Sequence, residues 1–206
     1  MKPQEIENES FRIIDSEAGA HGFPADQWPV VRRMIHTSAD FEWQLMTQLH
    51  PDAIRIGVAA IRRGCPIVTD TNMARVGIRQ RDLDRFGGVV RCYMTDARVA
   101  ETALQKGITR ARAAVDVAAS ELDGGIYVIG NAPTALLRLI ELMDQGQARP
   151  ELVVGLPVGF VNAAESKALL MERDVPHITN VGRKGGSNVA AAVINALIIM
   201  AGQDGP

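Results

Sequence analysis

Three groups of residues in this chain have types and spacing suited to chemistry. His36 closes a stretch, 27–36, in which Val30, Val31, Met34 and Ile35 share one helical face. A helix C-terminus favours imidazolium, so His36 either caps its helix or holds a transferable proton near neutral pH. Arg110 follows Gly107 and Thr109, which read as a helix end and the next helix's cap. A cation in that first turn opposes the dipole by roughly a few tenths of a kcal/mol, and an anionic ligand would reverse the sign. A solvated surface arginine is the other reading. The third group is Val181-Gly-Arg-Lys-Gly-Gly-Ser-Asn188. Gly182, Gly185 and Gly186 can expose backbone N–H groups ahead of a helix, with Arg183 and Lys184 adding charge. That suits a carboxylate or a phosphate, but an ordinary Gly-rich turn has the same composition. Walker spacing and a GxGxxG are both missing, so nucleotide binding has little support. His21, His50 and His177 are scattered without metal-ligand spacing, and neither a triad nor paired carboxylates stand out.

Alternating strand and helix signals position these groups. Strands are expected at 65–70, 89–94, 126–129, 152–156 and 175–178, with helices at 96–106, 109–122, 134–144, 163–172 and 187–201. Ahead of them, a short helix over 10–15 ends near Gly19. A second covers 27–36, and a third, 39–49, starts at a capping box of Thr37 and Asp40. A fourth begins at Pro51 and stops at Gly64. The pattern predicts one domain over 1–206, α/β in class, with three α/β/α layers. Its mostly parallel, doubly wound sheet has five strands in the order 2-1-3-4-5. The switch point then falls between the strands ending at Asp70 and Gly130, where ligands of such sheets bind. Gly130 lets a backbone or a ligand approach closely, and Pro133 suits a first helical turn.

Composition excludes several classes. A net charge of −2 gives no general attraction to nucleic acid or to an acidic membrane surface. Cys65 and Cys92 form no CxxC, so neither a disulfide framework nor a zinc site is indicated. The polar, acidic first ten residues do not resemble a secretory signal, and the apolar run 189–201 is short for a bilayer. A soluble cytoplasmic protein is expected. That last run is apolar on almost every side, so its helix needs cover beyond the sheet. Other helices of the chain could supply it, but the preferred reading is an obligate dimer.

Several stretches together carry a resemblance. They are Ser10-Phe-Arg-Ile-Ile, Ile35-His-Thr-Ser-Ala-Asp-Phe-Glu-Trp43, Thr69-Asp-Thr-Asn-Met73, Arg91-Cys-Tyr, Gly107-Ile-Thr-Arg110, Gly130-Asn-Ala-Pro-Thr-Ala-Leu136, Pro157-Val-Gly-Phe-Val-Asn-Ala-Ala-Glu-Ser-Lys167 and Gly182-Arg-Lys-Gly-Gly-Ser-Asn188. In this order, over nearly the whole chain, they resemble the precorrin-8X methylmutases of cobalamin biosynthesis. The one small departure is Asn162, where the family has Gly. The resemblance implies a flavodoxin-like sheet and a homodimer whose active site both subunits form. It also implies migration of a methyl group from carbon 11 to carbon 12 of a corrin precursor. His36 is the implied proton donor to a ring nitrogen. Ser10, Arg79, Arg110, Asn131 and Lys184 are the implied substrate contacts, and no metal or cofactor belongs to the protein. The substrate is cobalt-precorrin-8, giving cobyrinic acid, by the look of the H-T-S-A-D-F-E-W, T-D-T-N-M and G-R-K-G-G-S-N stretches; any cobalt arrives inside it. Alternatives are cobalt-free precorrin-8X, giving hydrogenobyrinic acid, and a non-catalytic corrinoid carrier.

Overall fold

The structure is a computed structural model that describes residues 2–119 and 124–203. Two helices, α1 (Pro3–Ala18) and α2 (Trp28–Ser38), precede the short α3 (Trp43–Met46) and strand β1 (Thr47–Leu49). Then follow α4 (Ala53–Arg62), β2 (Ile67–Thr69), α5 (Asn72–Gly77), α6 (Gln80–Leu83), a 3₁₀ turn at Asp84–Phe86, and β3 (Val90–Arg91). The remaining elements are α7 (Ala97–Lys106), α8 (Arg110–Ala118), β4 (Ile126–Ile129), α9 (Pro133–Asp144), β5 (Leu152–Gly155), α10 (Ala163–Met171), β6 (His177–Asn180) and α11 (Ser187–Gln203). The expected end of the eighth helix, 120–122, lies outside the described residues.

One sheet runs in the order β1-β6-β5-β4-β2-β3, with every pairing parallel except β1 with β6. The expected five strands lie side by side as β3-β2-β4-β5-β6, but the sheet has six, so the five-strand order needs correcting. The sixth strand stands where a continuous helix was expected over 39–49. Ala39, in the left-handed conformation at φ 52°, ends α2, and only Trp43–Met46 turns helical again. From Thr47 the burial pattern alternates, and Thr47, Gln48 and Leu49 pair with Asn180, Thr179 and Ile178. This antiparallel strand covers the edge that β6 would otherwise leave open. The Thr37 capping box fails for the same reason: α2 runs on through Thr37 and Ser38, and Asp40 accepts a hydrogen bond from the Glu42 N–H.

Period-two alternation divides the core into two layers. Ile67, Ile126, Val128, Leu152, Val154 and Ile178 face α2, α4 and α11, whereas Val68, Tyr127, Ile129 and Val153 face α8, α9 and α10. Helix α11 is largely buried, and α2, α4 and α5 of the same chain pack on it. Its apolar circumference is thus satisfied within one chain and gives no argument for a second copy. Among the described residues no helix is long and apolar enough to cross a membrane.

Candidate active site

Side chains of α1 and α2 meet at His36. It lies in the last turn of α2, half-buried, with its ring centroid 5.1 Å from that of Phe11 on α1. The Arg32 and Arg33 guanidinium carbons stand 4.4 and 4.7 Å from the Phe11 ring centroid, and Arg33 pairs with Glu7. Helical spacing builds this cluster: Glu7 and Phe11 are one turn apart on α1, as Arg33 and His36 are on α2. Burial, then the Arg33 charge, lower the His36 pKa below its usual value, against an opposing pull from Glu7. The helix dipole alone led to the opposite expectation. Removing an imidazolium from water beside a guanidinium outweighs it here.

At the carboxyl edge of the sheet, the presumed switch point lies between β2 and β4 as expected, but a protein carboxylate fills it. Asp70 is 1% exposed and accepts three backbone hydrogen bonds, from Gly130 (2.9 Å), Asn131 (2.9 Å) and Ala132 (2.8 Å). Burial raises its pKa, while these N–H donors favour the ionised form. The close approach that Gly130 permits is to another backbone: a Cβ there would meet the Ser187 Cα at 2.6 Å. Asn131 is left exposed beside this anchor. Across the second layer, Thr109 caps α8, and its hydroxyl lies 3.0 Å from that of Thr134 at the start of α9. Arg110 therefore opens a helix at the same edge, exposed, and no ion pair among the described residues engages it.

The Gly-rich segment 181–186 is packed at its Gly185–Gly186 end rather than open. The Gly186 N–H donates to the Leu156 carbonyl, and a Cβ at Gly185 would fall 2.2 Å from that same oxygen. Arg183 stands over the Phe160 ring at 5.5 Å. Lys184 Nζ reaches Asp40 and, at 2.7 Å, Glu42, in the turn that follows His36. Its charge is thereby matched by two carboxylates in the isolated chain. Beneath it, Lys167 is fully buried on α10 and donates to Asn180 Oδ1 (3.0 Å) and the Lys184 carbonyl (2.6 Å). Burial pulls its pKa down to about 8, which leaves it mostly charged at neutral pH.

A family model described as precorrin-8X methylmutase matches residues 5–200. The chain belongs to that family. Precorrin-8X methylmutases are isomerases of cobalamin biosynthesis. A cobalt-precorrin-8 methylmutase of Priestia megaterium is 50% identical over 98% of this chain and 89% of its own length. A precorrin-8X methylmutase of Pseudomonas aeruginosa is 39% identical over 94% of each. The crystal structure of the precorrin-8X methylmutase from Thermus thermophilus superposes with a TM-score of 0.90 at 48% identity, covering 96% of both chains.

Within one methylmutase chain, the six expected site residues fall into separate groups. Ser10 neighbours Phe11 on α1, and its hydroxyl donates to the Ile6 carbonyl at 2.9 Å. Arg79 lines a cleft of about 550 Å³ with Glu7, Phe11, Arg33 and Arg85, and pairs with Asp82. His36 abuts that cleft through Phe11. Arg110 and Asn131 lie at the carboxyl edge, served by the opposite helix layer, and Lys184 is engaged with the turn after His36. Reading the sequence missed Phe11, Glu7 and Arg33 as neighbours of His36, although their one-turn spacings carry the signal. It also missed the buried anchors Asp70 and Lys167, whose partners lie 60 and 13 or 17 residues away.

Proposed function

We propose that this chain moves the methyl group of cobalt-precorrin-8 from carbon 11 to carbon 12, giving cobyrinic acid, with His36 as the proton donor to a ring nitrogen. The observation that carries this reading is the half-buried His36 ring against Phe11, a residue of the arginine-lined cleft, with the Arg33–Glu7 pair also lining that cleft. In a [1,5]-sigmatropic shift the carbon 11–methyl bond breaks as the carbon 12–methyl bond forms; the proton lent by His36 to the ring nitrogen returns to the imidazole after the shift, so no atom is gained or lost overall. No redox partner or nucleophile is needed. One positioned acid and one bound conformation are enough. Cobalt, where present, travels in the substrate. The cobalt-containing substrate is favoured on the H-T-S-A-D-F-E-W, T-D-T-N-M and G-R-K-G-G-S-N stretches and on the name of the relative at 50% identity; the Thermus thermophilus protein at 48% and the Pseudomonas aeruginosa protein at 39% bear the metal-free name.

A corrin precursor is fringed with carboxylates, which Arg79 and Arg110 suit as clamps and Asn131 as a hydrogen-bonding partner. Those carboxylates would also lift the His36 pKa on binding, so that the acid forms where it is used. Because Arg79 and Arg110 lie in separate groups, we propose a homodimer in which a second copy completes the pocket. The exposed Met73, Phe160, Val161 and Val181, in the loops and helix that follow β2, β5 and β6, offer apolar surface for that contact or for the macrocycle face. Incubation with cobalt-precorrin-8 and, separately, with precorrin-8X tests the reading through the absorption change on isomerisation. Faster turnover of the metal-free compound would reverse the substrate assignment. Turnover of neither, with tight binding of product, would mean a carrier.

A further inference from the structure

Lys167 is an expensive residue to keep where it is. It is wholly buried, burial lowers its pKa, and no carboxylate among the described residues forms an ion pair with it. A methionine would fill similar space without desolvating a charge. What the ammonium does instead is hold one carbonyl. The Lys184 oxygen accepts from Lys167 Nζ at 2.6 Å and from Asn180 Nδ2 at 3.1 Å, and Asn180 is itself held by Lys167 through Oδ1. The backbone of residue 184 is thus fixed from below by two donors. Gly185, wedged against the Leu156 and Pro157 carbonyls, fixes it from the side. Its side chain then points outward to Asp40 and Glu42, so a rigid base carries a cation that grips the 39–42 turn. That turn directly follows the last turn of α2, where His36 lies, and it begins with Ala39 in a left-handed conformation that an unheld turn would not favour.

We propose that Lys167 is a positioning residue for the methyl shift: through the Lys184 carbonyl and the Lys184–Asp40–Glu42 ion pairs it fixes the end of α2 and hence the His36 imidazole. The proposal rests on the reading of His36 as the proton donor. Lys167 touches neither His36 nor the cleft, so its effect is on the geometry of the acid, not on the affinity of the pocket.

The chain has four histidines, so histidine-labelled protein gives four ring signals, and His36→Ala identifies one of them. In Lys167→Met the His36 ring signal and its titration midpoint should move, while the His21 signal stays in place. With substrate, kcat should fall by about tenfold to a hundredfold, as expected for a displaced catalytic group, with KM little changed. A folded Lys167→Met protein with an unmoved His36 signal and wild-type kcat would overturn the proposal. Should that variant fail to fold, the surface pair Asp40→Asn and Glu42→Gln takes its place. It breaks the same linkage and should move the same signal; an unchanged signal there overturns the proposal equally. Turnover by His36→Ala itself would refute the proton-donor reading, a result the ring signals distinguish from failure of the linkage.

Discussion

Replacing Asp70 with Asn tests whether the sheet's switch point is a built anchor. Two N–H groups, from Asn131 and Ala132, converge on Oδ2, and that of Gly130 meets Oδ1. An amide offers only one oxygen. Its better rotamer keeps the two bonds at Oδ2 and turns NH₂ toward the Gly130 N–H, donor against donor. One hydrogen bond to a charged acceptor is lost, about 1.5–3 kcal/mol, and a buried donor is left unpaired at about 1–3 kcal/mol. Relief of the carboxylate's desolvation, the cause of its raised pKa, offsets part of this. A net loss of about 3 kcal/mol is expected, which for a chain of this length lowers Tm by roughly 6–12 °C. Calorimetry or circular dichroism on heating measures it, and amide exchange locates it. Exchange should quicken first at Gly130, whose amide loses its acceptor, ahead of Asn131 and Ala132, whose bonds are kept. A Tm within about 2 °C of wild type, with the Gly130 amide still protected, would refute the reasoning, because the expected loss is about 3 kcal/mol.

His36→Ala should lose about a hundredfold to ten-thousandfold in isomerisation rate and still bind the product corrinoid; near-wild-type turnover would exclude it as the acid. With imidazolium as the working form, kcat/KM should fall as pH rises through a midpoint below the usual histidine value, since burial and Arg33 depress the free enzyme's pKa. The midpoint in kcat should lie higher, once substrate carboxylates stand beside the ring; equal midpoints would argue against ligand-coupled protonation. Arg110→Ala should weaken substrate binding by about 1.5–3 kcal/mol without loss of Tm, because a first-turn cation does not stabilise α8. Titration calorimetry showing unchanged affinity would make Arg110 an ordinary surface residue.

The fold was legible where one periodicity ruled. Ile126–Ile129 is four apolar residues in a row, buried on both faces, and nothing in it competes with the strand reading. Arg110 and Thr109 likewise gave the start of α8, because cap and dipole act within one turn. The failure at 39–49 is of another kind. Its composition suits a helix, and what makes residues 47–49 a strand is the hydrogen-bonding edge of β6, about 130 residues further on. No local pattern carries that. The apolar α11 shows the same limit: a helix apolar all round says that it is covered, not by whom.

Charge shows the same limit at the site, and it bears on the mechanism. Lys184 beside glycines reads as an anion clamp as long as Asp40 and Glu42 are out of view; in the fold, two carboxylates already answer it. His36 at a helix end reads as a stable cation until burial and Arg33 are added. Both corrections push in one direction. Most cations of the cleft have partners before substrate arrives, Arg33 with Glu7 and Arg79 with Asp82, whereas Arg85 lines it with no carboxylate partner among the described residues. A polycarboxylate entering such a site engages Arg85 or competes for the partnered cations, and it tips the balance toward negative. On the proposed mechanism the group that responds is the half-buried imidazole that burial and Arg33 hold below its usual pKa. Raised by the substrate's own charge, it would take up its proton when there is something to protonate.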